Sequence, residues 1–202
     1  MISRSAARPL RSALVALVAI AAIALSPLSA AAATHKVTAG LNWFTPSALA
    51  VPRGDQVRWS NVGDITLKHN IRSQSPKGYF GHVLREQTTW TFTFRTAGTF
   101  PYFCSLHDGM SGTITVPISV ATLSGPVRFR ITVGSGSSSA PWKSQVQVRA
   151  PGSSTFKTIT TTTAASVTYT PAKAGTYTFR SRVTNTSTGA SSDWSPTVSR
   201  SR

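Results

Sequence analysis

The sequence predicts an all-β chain of two successive β-sandwiches, and three observations carry that expectation. Short runs alternate apolar and polar residues with a period of two, helical periodicity is absent beyond the first thirty or so residues, and turn-forming clusters interrupt the chain at short intervals. In "TTWTFTF" (88–94), Trp90, Phe92 and Phe94 fall on one face and the threonines on the other. The same signature of a strand with one buried face recurs in "QVRWS" (56–60), "GTITVPISV" (112–120), "VRFRITV" (127–133), "SQVQVRA" (144–150) and "GTYTFRSRV" (175–183). Turn signals such as "PRGD", "NVGD", "SPKG", "TAGT", "APGSS" and "PAKAG" separate them. Many short strands between frequent turns fit β-sandwiches.

Composition divides the chain near residue 120. All four histidines and three of the five tryptophans precede that point, whereas the remainder is rich in Ser and Thr, most of all in "TITTTTAAS" (158–166). The β-branched content of that tract predicts an exposed strand pair. "SVATLSGP" (119–126) reads as a linker between a first domain over 34–118 and a second over 127–202. Each half is near the small end of what folds alone.

The first residues stand apart. Arg4, Arg8 and Arg11 precede an apolar run from Ala13 to Leu25, and small residues follow up to Thr34. A basic segment, a short apolar segment and an A-x-A-like site describe a secretory signal peptide over 1–33, cleaved near Ala33. A membrane anchor needs roughly 18 or more apolar residues. This run is shorter, so no transmembrane anchor is expected after cleavage, and the expected location is secreted, extracellular or periplasmic.

The chain carries 21 Lys and Arg against 5 acids, a formal charge of +16, and it stays strongly basic without the three leader arginines. Such a charge attracts acidic proteins, nucleic acid or anionic cell-surface polymers. The cations are spread singly, as at Lys36, Arg53, Arg58, Lys68, Arg72 and Lys77, with no basic block and no aromatic–basic RNA motif. No nucleic-acid partner is therefore expected. A solvated basic surface is the plainer account, and attachment to an anionic cell-surface polymer stays open.

Cys104 is the only cysteine. It rules out a disulfide within the chain, and an exported thiol is an oxidation liability unless buried, paired with another chain or bound to a metal. "PYFCSLHDGMSG" (101–112) places Cys104, His107 and Met110 within seven residues, and Met110 is the only methionine besides Met1. Strand-like "TFPYF" leads in and "GTITV" leads out, so the three project from one short loop. Upstream, "ITLKHNI" (65–71) sets His69 at the end of another apolar run. Two imidazoles, a thiolate and a weak thioether are the donor set of a blue-copper site: sulfur suits Cu(I), imidazole suits both oxidation states, and a trigonal compromise limits rearrangement between them. Zinc accepts Cys and His, yet a structural zinc site takes four strong ligands and Met is a poor one. C-x-x-H alone also permits a catalytic thiol with His107 as base, and singly the residues read as a buried Cys, a surface His and a core Met. Their concentration on one loop favours a shared metal.

With "HN" at 69–70 and "GTFPYFCSLHDGM" at 98–110, residues from about 35 to 118 resemble a cupredoxin, a type 1 blue copper domain of the plastocyanin and amicyanin kind. "LNWFTPSALAVPRGDQVRWSNVGD" (41–64) resembles the family's opening, with a P-x-G-D-x-V-x-W-x-N segment ahead of the first ligand. The two residues between His107 and Met110 form a short loop similar to that of amicyanin. The resemblance implies a Greek-key β-sandwich in which His69, Cys104 and His107 bind one copper ion in a plane and Met110 is a weak axial ligand. It also implies that Asn70 ties the two ligand loops together and that His107, with Leu106 beside it, is the electron port. Lys68, Arg72, Lys77 and Asp108 near the same end depart from the family; a basic rim implies an acidic redox partner. His35 and His82 match no family role: His35 reads as a stray Cu(II) binder and His82 as a loop or surface residue.

"GTYTFRSRVTNTSTGASSDWSP" (175–196) is similar to the end of a fibronectin type III domain, and "SQVQVRAPGSSTFKTI" (144–159) to its central hairpin. The resemblance implies an immunoglobulin or fibronectin III-like β-sandwich with Trp142 and Trp194 in its core. No histidine follows His107 and the only acid in this half is Asp193, so no catalytic constellation is expected there. Four histidines cannot supply the further centres of a multicopper oxidase or a copper nitrite reductase. The expectation is a secreted blue copper protein, not an enzyme, that shuttles single electrons through Cu(II)/Cu(I) to a redox protein partner, with an accessory sandwich for spacing or docking. Extracellular copper handling or buffering, and an adhesive module with a structural metal site, are the alternatives.

Overall fold

The computed structural model describes residues 31–61 and 68–202. The expected signal segment lies outside the described residues except for its last three positions, as does the stretch 62–67 that follows Asn61. Among the described residues, no helix is long and apolar enough to cross a membrane.

Among the described residues, the alternating runs of the first half become nine strands: β1 (Thr34–Ala39), β2 (Phe44–Thr45), β3 (Ala48–Ala50), β4 (Gln56–Asn61), β5 (His69–Ser73), β6 (Gly81–Leu84), β7 (Thr89–Thr93), β8 (Gly98–Phe103) and β9 (Ser111–Val116). They form a four-stranded sheet in the order β2-β1-β4-β7 and a five-stranded sheet in the order β3-β9-β8-β5-β6. β1 pairs with β4 in parallel, and so does β3 with β9; the other pairs are antiparallel. Period two decides what is buried. On β4, Val57, Trp59 and Asn61 point inward while Arg58 is exposed, and on β8, Gly98, Phe100 and Tyr102 are buried. Trp59 is the hub of this core: the rings of Trp90, Tyr102, Phe80 and Phe94 lie 5.3, 5.6, 5.9 and 6.3 Å from it. Each such ring removes some 150–250 Å² from water, which is how so small a sandwich holds without a disulfide.

The second half has seven strands: β10 (Ser119–Leu123), β11 (Arg128–Thr132), β12 (Trp142–Arg149), β13 (Lys157–Thr162), β14 (Ser166–Tyr169), β15 (Thr176–Asn185) and β16 (Val198–Ser201). Sheets in the orders β10-β11-β14 and β13-β12-β15-β16 enclose Phe129, Ile131, Val133, Val146, Val148, Tyr177 and Phe179. Tyr177, near the start of β15, turns its hydroxyl back four residues, donating to Lys173 O (3.0 Å) and accepting from Lys173 N (3.1 Å). That is the tyrosine corner seen in immunoglobulin-like sandwiches.

Two expectations are corrected here. Residues 119–126 are not a free linker: Ser119–Leu123 is a strand, in register with β11 from Ser119↔Thr132 to Leu123↔Arg128, and "SGP" is the turn of that hairpin. Val120 faces the core between exposed Ser119 and Ala121, a period that the neighbouring Ser, Gly and Pro obscured. Nor is Trp194 a core residue: it is half-buried at the surface, with two arginines against its ring. Trp142 is partly buried, but against the core of the first half.

The two sandwiches share a packed seam. Val183 and Trp142 pack into the first core, Ala97 packs into the second, and Tyr79 meets Trp142 edge-on at 5.1 Å. Thr99 and Asp193 exchange both backbone hydrogen bonds at 3.0 Å, Ala97 N donates to Val133 O at 2.7 Å, and Ser75 Oγ donates to Ser191 O at 2.6 Å. Arg53 reaches across to Pro117 O and to Ser119 Oγ. Gly98 permits this approach, since a Cβ there would stand 2.7 Å from Ser192 Oγ and 2.9 Å from the Phe100 ring. β8 thus starts at the seam and runs six residues, about 20 Å, toward Cys104.

Candidate metal centre

Cys104 leaves β8 just as the strand ends, and the chain returns as β9 after six residues. The loop between closes on itself: Cys104 N donates to Met110 O at 2.9 Å and Met110 N to His107 O at 3.4 Å. Gly109 makes the turn at φ +75°, a conformation that a residue without Cβ adopts freely. His69 opens β5 from the other side of the site. The Cys104 sulfur lies 3.5 Å from His107 Nδ1 and 4.0 Å from His69 Nδ1, and the three donor atoms all fall within 4.8 Å of one another. Among the described residues, no other group of three His, Cys, Asp or Glu side chains converges this way. His69, Cys104 and Met110 are 1, 3 and 1% exposed, whereas His107 is half-buried with its neighbour Leu106 at 54%.

Asn70 holds the two segments together. Its side-chain Oδ1 accepts from Ser105 N at 2.8 Å, its Nδ2 donates to Ser105 Oγ at 2.9 Å, and its backbone N–H points at the Cys104 sulfur at 3.4 Å. Burial, and then the neighbouring His107, hold the pKa of His69 below the ordinary 6.5. Near neutral pH its ring is therefore uncharged, the form that offers a lone pair to a metal.

This donor set fits copper. Separations of 3.5–4.0 Å are what two donors show when each sits about 2.0–2.3 Å from one shared ion. A Cys–His base pair would account for the 3.5 Å contact alone, but not for a second buried imidazole aimed at the same sulfur. Two imidazoles, one buried thiol and a buried methionine form the ligand set of a type 1 copper site.

The surrounding charges are placed unevenly. Lys68 and Asp108 are exposed beside their ligands, and Arg72 reaches Ser105 Oγ at 3.4 Å. Lys77, exposed in the turn after β5, lines the same surface groove as Asn70 and Arg72. His82 is exposed on strand β6 instead of a loop, stacked on Trp90 at 5.3 Å and 4°. His35 pairs with Asp55 at 2.8 Å. Sequence reasoning missed Leu41 and Trp43, exposed at 61 and 46%. Their turn follows β1, whose end pairs with the end of β4 (Ala39↔Asn61); Asn61 Nδ2 donates to Arg85 O at 3.2 Å, next to Leu84, which pairs with His69, so they sit at the metal end. The available signal was Gly40, whose missing Cβ leaves room for the Trp43 ring 2.2 Å from where it would stand.

An all-β sandwich carrying a His-Cys-His-Met set at one end defines the type 1 copper class. The chain belongs to the family of the cupredoxin-like domain, whose model matches residues 13–116. It is 34% identical over 85 residues to plastocyanin of Scenedesmus fuscus, covering 36% of this chain and 85% of that protein. It is 32% identical over 90 residues to amicyanin-alpha of Methylorubrum extorquens, covering 43% of this chain and 73% of that protein. Among solved structures, a purple cupredoxin from Nitrosopumilus maritimus aligns at 26% identity and a TM-score of 0.36, over 40% of this chain and 97% of that one.

Proposed function

We propose that this chain is an exported blue copper protein that carries single electrons between redox proteins and is not itself an enzyme. The observation that carries the reading is the convergence of His69, Cys104 and His107 within 4.8 Å, with Met110 buried on the same loop and its carbonyl accepting a hydrogen bond from Cys104 N. Copper bound there supplies a one-electron Cu(II)/Cu(I) couple. The chain's own part is to fix the donors in advance. Asn70 locks the start of β5 to the Cys104 loop, so neither segment has to move when charge changes. Burial keeps water off Cys104, and the half-buried ring of His107 is the point where the site nears the surface. Leu106, Leu41 and Trp43 supply an apolar rim for a partner to dry, and Lys68 and Arg72 favour one with acidic residues.

Export through a signal peptide ending near Ala33 places this chemistry outside the cytoplasm, and the second half is read as a fibronectin type III-like module that spaces or docks the carrier. The tyrosine corner at Tyr177 and the three-plus-four division of strands support that reading. Titration of the metal-free chain with Cu(II), followed by visible and EPR spectra, tests the central claim. An intense blue band that bleaches and returns over a reductant–oxidant cycle, and that is lost in Cys104→Ser, is the expected result. A colourless protein binding only Cu(I) tightly would instead mark a copper-handling protein. No copper affinity at all would leave an adhesive module.

A further inference from the structure

The sequence spreads its cations singly, yet the fold collects three arginines and two aromatic rings on one outward face of the second sandwich. Arg180 and Arg182 stand two residues apart on β15, so their side chains leave the same face about 7 Å apart, room for one ring. That ring is Trp194: Cζ of Arg180 lies 4.2 Å and Cζ of Arg182 4.4 Å from its centre. Arg180 also covers Phe156 at 3.9 Å, and Arg149 of β12 meets the same ring at 5.1 Å. Gln147 Oε1 accepts from Arg180 Nε (3.0 Å) and Nη2 (2.8 Å), and Gln145 Oε1 accepts from Arg182 Nε at 2.7 Å. Arg180 and Arg182 are each held by a face and by the edge that meets a glutamine, Arg149 by its face alone, and their remaining N–H groups are left for a ligand.

Among the described residues, no acid forms an ion pair with them. The only ion pair among the described residues is His35–Asp55, in the first half. Burial and then the charges of Arg182 and Arg149 lower the pKa of Arg180, in keeping with like charges gathered without a counter-ion. Uncharged polar groups continue the face on both sides: Gln145 and Gln147 donate to Thr158 Oγ1, and Thr178 bonds Ser199. Lys157, exposed, opens β13 beside Phe156.

The geometry points to a carboxylate-bearing polysaccharide as the ligand of this face. Planar guanidinium forks match carboxylates two hydrogen bonds at a time, and the flanking amides and hydroxyls suit sugar hydroxyls. A protein partner fits less well, because guanidinium groups already cover the two rings of this face and the large exposed apolar side chains among the described residues, Leu41, Trp43, Val83 and Leu106, all lie in the first half. A single-stranded nucleic acid lacks a platform, since guanidinium groups already cover the ring faces on which bases would stack. The surface is separate from the metal centre and its role does not depend on copper.

Binding of the full chain to polygalacturonate at constant ionic strength tests this. Arg182→Gln is expected to weaken binding about tenfold, and Arg182→Lys, which keeps the charge but loses the fork, by an intermediate factor. Arg58→Gln removes the same charge from the exposed face of β4 and is expected to change binding less than twofold. Should Arg182→Gln unfold the sheet, Arg149→Gln at the end of the stack carries the same expectation. Equal losses at Arg58 and Arg182 would assign binding to net charge and overturn the proposal, as would no binding or preferential displacement by duplex DNA. The copper spectrum is expected to be unchanged in every variant, so failure here and failure of the electron-carrier reading are told apart.

Discussion

Asn70 spends both ends of its amide on a single residue, Ser105, while its own N–H faces the Cys104 sulfur. Truncation to alanine keeps the backbone donor and frees the loop. Asn70→Ala is therefore expected to retain a blue centre but to lower copper affinity by roughly ten- to a hundredfold, read by competition with a chelator. An affinity equal to that of the parent would mean that the loop needs no tie. At this scale the sequence was most informative where chemistry is local. Cys104, His107 and Met110 lie within seven residues, and "HN" marked the distant ligand. Trp194 was misjudged because what decides its environment, Arg180, Arg182 and the register of β15, is not adjacent to it in the chain. Leu41 and Trp43 were missed for a similar reason: exposure depends on which loops meet at one end of a sandwich.

Strand alternation made most elements legible, because a one-residue slip would turn a whole buried set to water. It failed at β10, where a strand of mixed Ser, Ala and Thr runs into a Gly-Pro turn and resembles a linker until its pairing with β11 is seen. β8 bears a stricter demand. Its first residue must be Gly, since a methyl at position 98 meets Ser192 Oγ and the Phe100 ring at under 3 Å. Gly98→Ala is expected to destabilise the chain by about 1–3 kcal/mol, measured as a lowered denaturant midpoint. Because the strain falls at the seam end of β8, the copper spectrum should change little. A spectrum altered as strongly as stability would show that the two ends of β8 are not insulated.

Across the whole molecule, the seam joins what composition had divided. With Val183 and Trp142 in the first core and Ala97 in the second, unfolding is expected to proceed as one transition, followed together by copper absorbance and by far-UV signal. Tyr79 gives the seam a pH dependence. Burial, opposed by a hydrogen bond with Thr96, raises its phenol above the ordinary 10.0. As pH rises past 10 the unfolded chain loses that proton first, so stability declines up to the folded pKa. Tyr79→Phe, which keeps the ring, should reduce the slope of this alkaline limb in urea titrations, with Tyr102, pushed up to about 12 by burial, and Tyr169, also raised, leaving a residual slope.

The route of β8 has a mechanical meaning as well. If the second sandwich is held to a matrix while a partner grips the copper end, tension reaches the first sandwich through the covalent link from β9 to β10 and through the backbone bonds of Thr99 to Asp193 at the start of β8. β8 pairs with β9 in unbroken register from Gly98↔Val116 to Phe103↔Ser111, and with Arg72 and Ser73 of β5 on its other side. A pull along that axis loads these hydrogen bonds in shear, all at once, instead of peeling them one by one. β8, which ends at Cys104, then shares that traction with β9, and the donor atoms should keep their places under drag.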